Sequence, residues 1–270
     1  MSQVSLSREG AVAILTITLP DQFMTDETVA ELNALTEELD GDESCRAMVF
    51  TGGEDGVFIR HFSVPVLEGI SNLLRDRGKT FSDQRLMTKD RDIDVLFRRL
   101  ATTPKITIAA INGFAMGGGF EFCLSCDLRI AQDGDYHLGL PEAKLGILPG
   151  GGGTQKLARL VGQARALEMV LRGRTVPPQE ALALGMVHEV TDGPVLPQAL
   201  ELAREYAAMA PLAFAHIKRL IRVEAEKPLE DGLTMERTLF LDLLVSDDAN
   251  KLMKRMNHGG LDIRAVPQGD

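Results

Sequence analysis

The chain has 270 residues, enough for one large domain or a domain with an appendage, and enough to bury a sizeable core. With 44% hydrophobic and 25% charged residues it has an ordinary globular composition, which excludes disordered and collagen-like classes. A net charge of −10 argues against nucleic acid as the main partner, and three cysteines cannot build a disulfide framework. "MSQVSLSREG" has no signal-peptide character, and no apolar run reaches the ~20 residues of a membrane span. The expectation is a cytoplasmic protein in a reducing compartment, with neither nucleic acid nor membrane as partner.

Taken in chain order, "AVAILTITL" (11–19) alternates as a strand, and "DETVAELNALTEELD" (26–40) places Val29, Leu32, Leu35 and Leu39 on one helical face. "AMVFTGG" (47–53) is a second strand ending in glycines. "GVFIRHFSV" (56–64) reads as a strand end turning into a loop. A loop that lets a ligand approach its backbone ordinarily carries small residues, yet this one has Arg60, His61 and Phe62. Residues 75–91, "RDRGKTFSDQRLMTKDR", carry six basic and three acidic side chains. They form either a solvated helix face or a rim that meets an anionic ligand.

"KITIAAING" (105–113) is a β-branched strand running into a turn, and "DLRIA" (127–131) is a short strand. "GQARALEMVLRG" (162–173) and "PPQEALALG" (177–185) are helices, and "MVHEV" (186–190) reads as the last strand. Beyond it the chain is helical. Alternating strands and helices followed by helices alone describe an α/β core, residues 1–195, with a C-terminal helical segment, 196–270.

The chemistry gathers in "IAAINGFAMGGGFEFCLSCDL" (108–128). Gly117, Gly118 and Gly119 open an apolar helical run; they serve close packing or leave N–H groups free to stabilise a developing oxyanion. Glu121, set among Phe120, Phe122, Cys123 and Leu124, costs free energy unless it has partners or a task. A second acid, Glu142, follows Pro141 in "LGLPEAKLGILPGGGGTQKL" (138–157); it is either a loop or helix-terminal charge or a functional group. The glycines at 150–153 lack the GK[ST] ending of a phosphate-binding loop and read as a turn into a helix at Gln155. Cys123 and Cys126 read as buried helical thiols. His137, His188, His216 and His258 show no metal-ligand spacing, and His188 reads as a strand residue.

Three blocks, "IAAINGFAMGGGFEFCLSCDL", "LPEAKLGILPGGGGTQKLARLVG" and "ALEMVLRGRTVPPQEALALGMVHEV", resemble the enoyl-CoA hydratase/isomerase (crotonase) superfamily in order and spacing over roughly residues 11–190. The resemblance implies a crotonase-like spiral of ββα units whose C-terminal helical part assembles a homotrimer or a dimer of trimers. It implies an acyl-CoA thioester substrate, with coenzyme A entering as part of that substrate and no resident metal or cofactor. It matches Glu121 and Glu142 to the two catalytic glutamates of the hydratases. The oxyanion hole falls on the backbone N–H groups of Gly118 and Phe62, with Gly117, Pro141 and Gly150 lining the substrate.

Within that resemblance the loop at 58–64 departs from the usual F-(S/C)-A-G-A-D-(L/I). His61 stands for a glycine, so a positive φ there would be strained, and Ser63 stands for an aspartate. "LPDQFMTDETV" and the tail around Met256 lack the usual residues for the nucleotide end of CoA. Arg60, His61 and the 75–91 rim are the candidates to replace them as phosphate contacts. Three readings follow: a hydratase with a reshaped acyl pocket, a lyase of fatty acid metabolism; another enolate reaction on a CoA thioester, such as double-bond isomerisation; or a non-catalytic oligomeric binding protein. A Ser/His/Asp hydrolase is disfavoured, because no GxSxG elbow is present.

Overall fold

A run of short apolar segments, each turning sharply into a second strand and then a helix, generates the architecture. The computed structural model describes residues 2–78 and 90–259. The chain opens with β1 (Val4–Glu9), β2 (Val12–Ile17), β3 (Phe23–Met24) and α1 (Asp26–Gly41). It continues through β4 (Ala47–Gly52), β5 (Gly56–Ile59), β6 (His61–Phe62), α2 (Val64–Asp76) and α3 (Asp92–Thr102). Next come β7 (Ile106–Ile111), β8 (Gly113–Met116), α4 (Gly118–Ser125), β9 (Leu128–Gln132), β10 (Leu138–Gly139) and a 3₁₀ turn, Glu142–Leu145. Then follow α5 (Gly153–Val161), α6 (Gln163–Arg172), β11 (Thr175–Val176), α7 (Pro178–Ala183) and β12 (Glu189–Thr191). The chain closes with α8 (Val195–Ala207), α9 (Pro211–Arg222), α10 (Leu229–Leu244) and α11 (Asp247–Asn257).

Six strands form one sheet in the order β1-β2-β4-β7-β9-β12, parallel except for the β1–β2 hairpin. Four form a second sheet, β11-β10-β8-β5, and β3 pairs with β6 in a third. Successive units such as β7-β8-α4 and β9-β10-α5 are turns of one spiral, each contributing a strand to two sheets. This is the ββα spiral that the resemblance implied.

Parallel strands covered on both faces are apolar throughout, and β4 is buried at five of its six positions. On one face Leu15, Met48, Phe50, Ala109 and Ile111 meet Phe58, Phe120 and Phe122 in the main core. On the other, Val12, Ile14, Ala47, Val49, Ile108 and Ala110 meet Val195, Ala199, Leu200 and Ala203 of α8. The expected boundary at 195/196 therefore falls at the first residue of a helix that completes the sheet layer, and the core runs through Ala207. Beyond it, α9 is tied to the core by Lys218, which donates to Asp127 Oδ2 at 2.7 Å and to the carbonyls of Leu100 and Lys105.

Some expectations shift. The last strand starts at Glu189, not Met186, and His188 lies outside it, its Nδ1 accepting the Arg129 N–H at 3.1 Å. The glycine-rich turn gives way to α5 at Gly153, two residues before Gln155. Cys123 and Cys126 are both buried, at the end of α4 and at its C-cap. Of residues 75–91, positions 79–89 lie outside the described residues. No helix among the described residues is long and apolar enough to cross a membrane.

Candidate active site

The site grows from the junction of β7, β8 and α4. Asn112 ends β7 and brackets the end of β4: its Oδ1 accepts the Gly52 N–H at 3.0 Å, and its Nδ2 donates to the carbonyls of Gly52 and Glu54. That bracket fixes where β8 starts and where the chain leaves it. At Gly117 the backbone takes φ 52°, ψ −126°, and a Cβ there would stand 2.9 Å from Glu142 Oε1. A side chain would be strained and would also strike the carboxylate. Gly118 then begins α4, and its N–H belongs to the first turn, which has no intrahelical acceptor.

The second loop meets this helix start. A Cβ on Gly118 would lie 3.1 Å from Phe62 Cβ and 3.5 Å from the Phe62 backbone nitrogen. The two amides expected to act together are thus neighbours, brought there by separate turns of the spiral. The strain expected at His61 does not arise: among the described residues the only non-glycine with positive φ is Gln22. The 56–64 segment avoids it by forming β6, which pairs with β3 in register His61 to Phe23 and Phe62 to Met24. The His61 ring stacks on Phe23 at 4.3 Å and its Nδ1 lies 2.8 Å from the Phe62 carbonyl. Arg60 donates to Gln22 Oε1 at 2.9 Å and lies 5.0 Å from the centre of the Phe114 ring. Both bulky side chains thus brace the loop against its neighbours. Ser63, in the place of an aspartate, is buried as the N-cap of α2.

The two acids occupy different environments. Glu121, in the first turn of α4, is 3% exposed, and its Oε1 accepts the N–H groups of Gly151 and Gly153, each at 2.7 Å. Burial pushes its carboxyl above the ordinary range, against the pull of those two N–H groups, Lys156 and Arg91. Glu142 stands at the head of the 3₁₀ turn after Pro141, half-buried, with Oε2 buried and without a hydrogen-bond partner in the protein. Burial is the main cause that lifts its carboxyl to about 7, and the negative charge of Glu121 adds to the lift. One carboxylate is therefore tethered by donors, while a second carboxyl holds its proton near neutrality and points an oxygen at nothing in the protein. That combination suits the division of base and acid duties.

Gly150 is exposed, and its carbonyl accepts Arg91 Nη2 at 2.6 Å. Lys156, whose ammonium is 2.7 Å from Ser125 Oγ, is pulled down to about 8, chiefly by burial. Sequence reasoning missed Lys156 and read Arg91 only as the end of a rim for an anionic ligand. A signal was present: Lys156 lies in the first turn of α5 and Arg91 at the N-cap of α3, where a positive charge opposes the helix dipole. Among the described residues no three His, Cys, Asp or Glu side chains are grouped to hold a metal.

Comparison with known proteins follows this geometry. A family model described as enoyl-CoA hydratase/isomerase matches residues 7–257. A short-chain-enoyl-CoA hydratase of Clostridium acetobutylicum is 31% identical over 256 residues, covering 94% of either chain. The fatty acid oxidation complex subunit alpha of Shewanella frigidimarina is 32% identical across 93% of this chain, which spans only 33% of that protein. An enoyl-CoA hydratase structure from Geobacillus kaustophilus superposes with a TM-score of 0.85 at 29% identity, covering 97% of this chain and 96% of the other.

Proposed function

Because the chain belongs to the enoyl-CoA hydratase/isomerase family, we propose that it adds water across the C2=C3 bond of a 2-enoyl-CoA thioester. A water held by Glu121 gives a proton to its carboxylate as the oxygen attacks C3. The π electrons move onto the thioester oxygen, giving an enolate. The backbone N–H groups of Gly118 and Phe62 hydrogen-bond that oxygen, and each donor of this kind contributes about 2.7–4 kcal/mol to the transition state. Glu142 then delivers its proton to C2. Return of the Glu121 proton to solvent and reprotonation of Glu142 complete the cycle. The absence of a side chain at Gly117 leaves room for the Glu142 carboxyl beside the helix start, Pro141 leads into the turn that carries it, and the loop after Gly150 holds Glu121 through Gly151 and Gly153.

The observation that carries this reading is the contrast between the acids. Glu121 is held by two N–H donors, while Glu142 has an unpartnered buried oxygen and a carboxyl at about 7. A proton donor working near neutrality needs such a carboxyl. Phosphate contacts by Arg60 and His61 find less support, since both side chains are already engaged within the protein. We place the protein in a homotrimer or dimer of trimers in the cytoplasm. Support for assembly comes from apolar side chains left outside the core, including Leu148 and Leu171, which are 68% and 70% exposed.

The test is hydration of crotonyl-CoA and of a longer enoyl-CoA, followed by loss of the conjugated enoyl absorbance. Glu121→Gln and Glu142→Gln are each expected to lower kcat by roughly 10²–10⁴-fold with little change in KM. Full activity in either variant would remove the paired-acid mechanism. Turnover of a 3-enoyl-CoA without hydration would replace hydration with double-bond migration. Failure to bind any acyl-CoA would favour a non-catalytic role.

A further inference from the structure

The loop that holds Glu121 is itself held, and by two cations. The Gly150 carbonyl accepts Arg91 Nη2 at 2.6 Å, and the N–H of that same peptide unit, on Gly151, donates to Glu121 Oε1 at 2.7 Å. The Gly151 carbonyl accepts Lys156 Nζ at 3.3 Å. The Gly152 carbonyl accepts the Lys156 backbone N–H at 2.9 Å, and the N–H of that peptide unit, on Gly153, is the second donor to Glu121 at 2.7 Å. Two of these three consecutive carbonyls are therefore held by the cationic side chains of Arg91 and Lys156 and the third by the opening backbone bond of α5, while the first and third peptides present their N–H groups to one carboxylate oxygen. A Cβ on Gly151 or Gly153 would stand 2.9 Å from that carboxylate, so the loop lies directly against it.

Both cations are themselves anchored. Arg91 makes a two-pronged contact with Asp94, at 2.8 and 2.7 Å. Lys156 donates to Ser125 Oγ at 2.7 Å, and Ser125 Oγ donates to the Glu121 carbonyl at 2.7 Å, so the ammonium also braces the helix turn that carries the acid. Its Nζ lies 4.9 Å from the centre of the Phe97 ring, within cation–π range. Asp94 and Phe97 are three residues apart on α3, and with Arg91 at its N-cap they form one face aimed at the glycine loop.

We propose that Arg91 and Lys156 are positioning residues that act as a clamp on the 149–153 loop, fixing Glu121 in place as the base of the reaction. The assignment rests on the hydratase reading for its catalytic consequence, but the clamp itself is a property of the folded chain. Electrostatics agree with the geometry: Lys156 and Arg91 both lower the Glu121 carboxyl, and Glu121 in turn raises Lys156. Other charges near this cluster are Glu142, which faces Glu121 from the 3₁₀ turn, Asp94, and Arg222 of α9, which acts on Lys156. Removing either cation leaves a buried carboxylate with weaker support and a looser loop. Its titration then moves upward, and the acid limb of the rate profile, which requires ionised Glu121, moves with it.

Two readouts test this. The first is ¹³C NMR titration of the glutamate carboxyls, with Glu121 assigned by Glu121→Gln, in the intact protein and in Lys156→Met, Arg91→Met and Lys156→Arg. A higher Glu121 midpoint in both Met variants, reversed in Lys156→Arg, is expected; an unchanged midpoint overturns the clamp. The Arg91 side chain is 59% exposed, so Arg91→Met retains the fold even if Lys156→Met does not. The second readout is the pH profile of crotonyl-CoA hydration. Lys156→Met is expected to lower kcat roughly 10- to 100-fold, with KM within about twofold and the acid limb shifted to higher pH. A loss confined to KM, or an unshifted limb, overturns the positioning role. Absence of hydration in the unmodified protein would sink the hydratase reading alone, because the NMR titration needs no turnover.

Discussion

Glu142 carries a cost that the rest of the chain must absorb. Its carboxyl, ordinarily near 4.5, sits at about 7 in the folded protein, so ionising it opposes folding. The sign follows from linkage: the folded state binds the proton more tightly, so stability is greatest below about pH 4.5 and is lost as pH rises through about 7. Glu142→Gln removes a group that must ionise, so it should stabilise the protein at pH 8 by on the order of 1 kcal/mol, after discounting for partial exposure. The difference should vanish near pH 4. Chemical denaturation at the two pH values measures it, and an equal effect at both would mean that charge is not the cause. Single residues were also where the sequence was most legible. An acid in an apolar helical run after three glycines already marked Glu121. Arg91 and Lys156 were not legible because they act through carbonyls of a loop that meets them only in the folded chain. Sequence spacing carries no trace of a contact between Arg91 and Gly150.

At the scale of elements, α9 is latched to the core by Lys218, whose side chain is 6% exposed and pairs with Asp127 at 2.7 Å. Arg222, one turn on, donates to the Cys126 carbonyl at 2.9 Å. Deleting one partner of a buried pair costs about 3–5 kcal/mol when the other charge is left unpaired, and Lys218→Met should fall at the low end, because Arg222 Nη2 stays 3.7 Å from Asp127 Oδ1. Thr107, whose N–H and hydroxyl also donate to Asp127, moderates that loss. Urea denaturation checks the figure; a cost below about 1 kcal/mol would mean that α9 is held by its apolar face alone. Strands β2, β4, β7 and β9 were readable because burial on both faces demands continuous apolar runs. The short strands β6, β10 and β11, two residues each, carry no periodicity to read, and β6 exists only because β3 lies beside it. That pairing is why a loop with Arg60, His61 and Phe62 folds without strain where glycine was expected.

At the scale of the whole molecule, the outer helices expose several large apolar side chains. Ile221 of α9 is 67% exposed, and Phe240 and Val245, at the end of α10, are 58% and 83% exposed. Large exposed apolar patches mark association sites, and these side chains predict one here. Sedimentation velocity should show a trimer or a multiple of it, and Phe240→Asp should shift the population towards smaller species. A monomer at micromolar concentration would mean that these side chains face something other than a second copy. The C-terminal helical segment was evident in the sequence, but its split role was not: α8 completes the sheet sandwich, while α9 to α11 lie outside it.

The pairing of β10 with β8, Leu138 to Ala115 and Gly139 to Met116, has one more consequence. Gly118 and Glu142 follow β8 and β10, neighbouring strands of one sheet, and Phe62 lies beyond their neighbour β5, in β6, so paired strands govern how far apart the three segments run. The segments that carry these candidate groups thus leave strands spaced about 4.8 Å apart, a backbone distance to which the side-chain braces described above add the final positioning. A protein built this way can vary its loop side chains, as at Arg60 and His61, while the strand spacing beneath the candidate site stays as it is. Loop sequence and the spacing of the site beneath it can drift independently.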